Sequence, residues 1–165
     1  LKTPLLVRWP GVAKAGTVNK QMVSNLDFAQ TFLDLAGLDQ PSDMQGKSLK
    51  PLFEGKEAKD WRESVYYHYY ENPGWHYVRR HYGVTDSRFK LIHFYEEDVD
   101  EWELYDLKFD PDELTNLYDH SSYLRVQSRL HSELERLRRE LGVPKIDPAS
   151  TDIRRLPPRT RLPTR

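Results

Sequence analysis

Residues 65–107 read VYYHYYENPGWHYVRRHYGVTDSRFKLIHFYEEDVDEWELYDL, and their reading decides the fold. Four runs rich in aromatic and β-branched residues, 65–71, 77–84, 89–95 and 102–107, have the composition of strands. Thr85, Asp86 and Ser87 supply a hairpin turn between the second and third, and the acidic EEDVDE separates the third from the fourth. Strands joined one after another by short turns favour an antiparallel sheet.

Such a sheet needs a cover on one face. Downstream, Tyr123, Val126, Leu130, Leu134, Leu137 and Leu141 recur at helical spacing, with Glu133, Glu135, Arg136, Arg138, Arg139 and Glu140 between them. This predicts one amphipathic helix that Gly142 and Pro144 stop. Beyond it, residues 147–165 hold four prolines, five arginines and two aspartates without periodicity, and are expected to be a disordered basic tail.

Upstream, PLLVRW at 4–9 suits a buried strand closed by Pro10-Gly11. Ser24-Asn25-Leu26-Asp27 has the form of a capping box before a helix whose Phe28, Phe32 and Leu35 share a face and whose C-cap is Gly37. Residues 41–63, with Pro41, Gly46, Pro51 and Gly55, read as a linker around a short helix at 49–53. The expected organisation is therefore 1–40, the linker 41–63, a sheet-and-helix subdomain 64–146, and the tail 147–165.

The chain opens on Leu1 with a strand-like run already under way, as a piece of a longer protein would. Residues 1–40 are then expected to present a strand edge and an apolar helix face meant for neighbours. Cysteine is absent, so no disulfide, Cys nucleophile or Cys metal site is available. No run approaches the ~18 apolar residues of a membrane span, and LKTPLLVRWPG lacks the shape of a signal peptide. Formal net charge is −1. The arginine-rich tail could grip a polyanion, yet no recognition helix, zinc finger or RNP-type motif accompanies it, so no nucleic-acid partner is expected.

Three features invite chemistry. His68, His76 and His81 could be metal ligands, but they lack zinc-site spacing, and His68 alternates with tyrosines as a half-buried packing residue would. The carboxylates of 96–101 could attract calcium, but without the glycine and distal Glu of a calcium loop they read as a solvated turn. Asn72-Pro73-Gly74 interrupts the aromatic run and lifts Trp75, His76, Arg79, Arg80 and His81 onto a loop and the strand after it. Arginine forks engage sulfate, phosphate or carboxylate, and an aromatic ring stacks on a sugar. The alternative has the tyrosines packing between sheet and helix and the arginines facing water. The spacing is compatible with both.

Read together, LKTPLLVRWPG, SNLDFAQTFLDLAG, MQGKSLKPLFEG and WELYDLKFDPDELTNL resemble, in this order, the C-terminal part of a type I, formylglycine-dependent sulfatase over about residues 1–143. The run HYYENPGWHYVRRHYGVTDSRFKLIHFY further resembles the glycan sulfatases of the heparan or N-acetylglucosamine-6-sulfatase and iduronate-sulfatase-like groups. The resemblance implies an alkaline-phosphatase-like α/β parent, with residues 1–40 as the last strand and helix of its large domain. A four-stranded antiparallel sheet packed by a C-terminal helix follows, so the fold class is α+β. Gln30 departs from the motif, which has proline there; as a helix former it is expected to change nothing.

The implied cofactors of the parent, formylglycine and calcium, have none of their motif residues here, and the implied partner is the missing N-terminal sulfatase domain. The segment alone is accordingly expected to be inactive, with Trp75, His76, Arg79, Arg80 and His81 as substrate-cleft residues for a sulfated carbohydrate. A periplasmic, extracellular or lysosomal parent is what the resemblance implies. Two other readings stand beside it: a non-catalytic polyanion-binding module, and part of a related phosphodiesterase or phosphonate hydrolase.

Overall fold

The computed structural model describes residues 3–56, 58–72 and 78–145. The chain divides into two compact units, residues 1–65 and 66–165.

In the first unit, α1 (Asp27–Leu35) and α2 (Lys50–Phe53) are the helices. The capping box forms only in part. Ser24 N–H donates to Asp27 Oδ2 at 2.7 Å, but the N-cap position falls on Leu26, which offers no side-chain cap. The reason is that Asp27 is committed elsewhere. It is 0% exposed, accepts Lys47 N–H at 2.8 Å, and takes both Arg62 Nη1 and Nη2 at 2.5 and 2.6 Å. The inward face of α1 is thus polar, with Gln30 and Thr31 buried beside Asp27, while Phe28, Phe32 and Leu35 are exposed. Thr31 Oγ1 accepts Leu49 N–H at 2.8 Å and so ties α1 to the start of α2.

Gln30 is more than a helix former. With its amide nitrogen toward the Leu26 carbonyl, it donates there and accepts Gly46 N–H at 2.9 Å. Gly46 must lack a side chain, since a Cβ would stand 2.1 Å from the Leu26 carbonyl oxygen. Gly37 at φ 68° closes α1 as expected, with Leu38 N–H reaching Leu33 O at 2.9 Å. Residues 4–9 form no strand: they pair with no described strand, so no ladder takes up their backbone groups, and Leu6 is 93% exposed.

The sheet, which but for the first two residues of β1 belongs to the second unit, has the order β1 (Ser64–Tyr69), β2 (His81–Asp86), β3 (Phe89–Glu96), β4 (Val99–Asp106), a meander in chain order. Both turns are tighter than the sequence suggested. Pairing runs from Thr85 opposite Lys90, and Asp86 Oδ1 caps the Arg88 and Phe89 N–H groups at 2.7 and 2.6 Å. Glu96 pairs with Val99, so only Glu97 and Asp98 turn between β3 and β4, and most of the acidic run is strand.

Helix α3 (Leu124–Glu140) lays Leu130, Leu134 and Leu137 on Val84, Phe89, Leu91 and Leu104. Tyr123, Val126 and Leu141 pack against the same cluster, as the leucine spacing predicts. On β1, Tyr66 joins this core, whereas the Tyr67 ring rests over Gly83, where a Cβ would come within 2.8 Å of the Tyr67 oxygen.

Candidate functional site

The expected second strand, 77–84, begins later, at His81. Arg80 explains the delay, because its backbone N–H donates to the side chain of Glu96, at Oε1 and 2.8 Å, and not to a backbone carbonyl of β3. Arg79 and Arg80 therefore stand on the connection between β1 and β2, against the β3–β4 turn.

Around them lies a small polar corner. Glu96, its side chain 11% exposed, also accepts from Asn72 Nδ2 at 2.6 Å and from Arg79 Nη1 at 2.6 Å. Arg79 completes its fork on Asp98, with Nη1 to Oδ1 and Nη2 to Oδ2 both at 2.7 Å. Arg80 turns the other way, its Nε and Nη2 donating to the Asn72 carbonyl at 3.1 and 2.7 Å. A cavity of about 350 Å³ is lined by Asn72, Arg80, Tyr95, Glu96 and Glu97.

Burial pushes the Glu96 carboxyl upward, but the donors from Arg80, Arg79 and Asn72 outweigh it and hold the group below the usual carboxylate range. Hydrogen bonds from Arg79 to Glu96 and Asp98 raise the Arg79 guanidinium in turn. Two arginines thus face three carboxylates, Glu96, Glu97 and Asp98. The corner is well furnished for hydroxyl and amide groups and poorly for a bare anion.

Of the expected contact residues, Arg79 and Arg80 come together here, and Trp75 and His76 lie outside the described residues. His81 is set apart: its ring stacks on Tyr69 at 5.5 Å and lies 5.1 Å from Phe94, with Nδ1 facing the Arg79 carbonyl at 2.8 Å. Sequence reasoning missed Asn72, Tyr95, Glu96 and Asp98. Alternation through VDEWELYD was the available clue, since it makes 99–106 a strand and brings 96–98 into a turn.

His68 behaves as a packing residue, between the Tyr66 and Tyr95 hydroxyls at 2.9 and 2.6 Å and 3.9 Å from the Tyr70 ring. A second aromatic group joins sheet and helix. His93 stacks on Trp102 at 4.0 Å and contacts Asp100 Oδ1 at 2.6 Å, and His131 of α3 lies 4.4 Å from the same indole with Nε2 on the Tyr118 hydroxyl at 3.1 Å.

Burial, aided by His93, lowers the His131 pKa, against weaker opposing pulls from Glu135 and Asp119. As pH falls through about 6.5 the unfolded chain takes this proton first, so the stability present above that pH is lost down through the folded pKa. We expect the difference in urea midpoint between wild type and His131→Gln to change below pH 6.5, the variant showing the shallower loss. Parallel pH profiles would count against it.

Among the described residues no group of three His, Asp or Glu side chains is placed to hold a metal, and the sequence has no cysteine. Sulfatases generally use formylglycine and calcium. No described helix is long and apolar enough to cross a membrane.

The four-stranded antiparallel sheet carrying one C-terminal helix is an architecture shared with solved sulfatases of the alkaline-phosphatase-like class. Residues 1–140 match the family described as N-sulphoglucosamine sulphohydrolase, C-terminal, and the chain belongs to that family. It is 49% identical over 141 residues to an N-acetylglucosamine-6-O-sulfatase of Bacteroides thetaiotaomicron, covering 84% of this chain and 25% of that protein. The chain thus spans about a quarter of that relative's length.

A solved structure of a protein in complex with its substrate D-glucosamine-2-N,6-O-disulfate superposes with a TM-score of 0.78 at 48% identity, covering 82% of this chain and 28% of that one. The phosphonate monoester hydrolase of Agrobacterium radiobacter is more distant, with a TM-score of 0.61 at 26% identity over 74% of this chain and 26% of its own.

Proposed function

We propose that this chain is the C-terminal part of a sulfatase that hydrolyses a sulfate ester of a sulfated glycan, with 6-O-sulfated N-acetylglucosamine units as the substrate class. The 49% identity across 84% of the chain to an N-acetylglucosamine-6-O-sulfatase carries this reading. The segment's share of the work is binding and orientation. Nucleophile and metal ligands belong to the rest of the protein; Trp75, His76 and Arg80 are the candidates for contacting the sugar so that its sulfate meets them, and Arg79 and His81 for holding that surface in place.

A free polyanion-binding module is less well supported, because the Arg79 fork is already spent on Glu96 and Asp98. The phosphonate hydrolase reading has the lower identity behind it.

The full-length protein is expected to release sulfate from N-acetylglucosamine-6-sulfate and to leave phosphonate monoesters essentially untouched. Its coding sequence should carry a C/S-x-P/A-x-R motif upstream of Leu1. Absence of that motif, or preference for phosphonate, would remove the hydrolase assignment.

A further inference from the structure

Glu96 receives hydrogen bonds from both ends of one connection. Asn72 stands just past the end of β1 and Arg79-Arg80 just before β2, yet Asn72 Nδ2 and the Arg80 N–H share Oε1 of Glu96 at 2.6 and 2.8 Å, and Arg79 Nη1 takes Oε2 at 2.6 Å. The Arg80 guanidinium closes the ring by donating to the Asn72 carbonyl at 2.7 Å. Asp98 holds the far side of Arg79, so that residue's orientation is fixed from two directions. None of these bonds involves the core formed by Val84, Leu91, Leu104 and the α3 leucines, which is complete without Glu96. A carboxylate sunk to 11% exposure with three donors from one connection is a large commitment for a residue the core does not need.

We propose that Glu96 is a positioning residue for the glycan. It pins the two ends of the β1–β2 connection and thereby sets where Arg80 meets the sugar, while Arg79, neutralised by Glu96 and Asp98, belongs to the clamp and not to the contact surface. The proposal rests on the sulfatase reading above for its substrate. The clamp itself is a statement about this chain's own hydrogen bonds and can be tested without turnover.

The experiment uses the full-length protein with Glu96→Ala, and Asn72→Asp as a second variant that sets carboxylate against carboxylate. On N-acetylglucosamine-6-sulfate, each is expected to raise KM about tenfold with kcat changed less than about twofold, the pattern of lost substrate positioning in the bound ground state. Hydrogen exchange should quicken by about tenfold or more at the Arg80 amide, with Leu91 and Leu104 amides unchanged. Unchanged exchange at Arg80, or a loss of protection spread equally over Leu91 and Leu104, would overturn the clamp. Faster exchange with an unaltered KM in an active enzyme would overturn its role toward the glycan. A wild type that releases no sulfate would refute the sulfatase reading and leave the exchange result to decide the clamp.

Discussion

Replacing Arg62 with methionine is expected to destabilise the first unit by about 3–5 kcal/mol, the range for removing one partner of a buried ion pair. The carboxylate of Asp27 is 0% exposed, and its two oxygens hold the Arg62 fork at 2.5 and 2.6 Å together with the Ser24 and Lys47 backbone N–H groups. Methionine keeps much of the arginine's stem volume, so the loss isolates the guanidinium. Two backbone donors remain, but they do not neutralise a charge removed from water.

Burial raises the Asp27 pKa and the donors, Arg62 foremost, lower it further, so the net shift is downward. Stability from a carboxyl lowered in this way is present above its unfolded value near 3.8 and lost as pH falls through the folded value. Without Arg62 the loss should begin at higher pH. Native-state hydrogen exchange of the Ser24 and Lys47 amides in the full-length protein, measured across pH, reads both effects. A change below about 1 kcal/mol at neutral pH, the range of an exposed pair, would show that water reaches this carboxylate after all.

How much of this was legible follows from the range over which each feature is encoded. Helix α3 could be read from its leucines because helical period and apolar burial coincide within a single segment. The strands could be read from composition, and the exposure of Phe28, Phe32 and Leu35 followed from an apolar stripe with no local partner. The Asp27 hub was hidden because Lys47 and Arg62 lie 20 and 35 residues away. A motif that looked like a helix cap instead serves a tertiary contact. Gln30 was read from propensity alone, and its bridge to Gly46 depends on a loop whose path the sequence does not announce.

The corner at Glu96 fell into the same gap. Arg79 with its neighbour Arg80 suggested an anion site, whereas Glu96 and Asp98, 17 and 19 positions on, satisfy Arg79 within the fold. Charge runs were read separately that the antiparallel register brings face to face.

That register makes the two arginines unequal, and replacing Arg80 with alanine is expected to lower kcat/KM of the full-length enzyme on N-acetylglucosamine-6-sulfate by about 10–100-fold. The figure corresponds to about 1.5–3 kcal/mol for a hydrogen bond to a charged group. Arg80 lines the cavity with Tyr95 and Glu97 and spends Nε and Nη2 on the Asn72 carbonyl, so Nη1 is the guanidinium nitrogen we expect a ligand to meet. With carboxylates beside it, that N–H suits a sugar hydroxyl or amide oxygen better than a sulfate.

Arg79→Ala, which removes a clamp member and no contact, should cost less, about threefold in kcat/KM. Inhibition separates the two kinds of contact. Arg80→Ala should weaken inhibition by unsulfated N-acetylglucosamine by about the factor seen for the substrate, and leave inhibition by inorganic sulfate as in wild type, since binding free energy lost at the sugar is lost whether or not the ester is present. A variant that loses sulfate inhibition and keeps sugar inhibition would place the ester group at Arg80 and refute the hydroxyl reading of this corner.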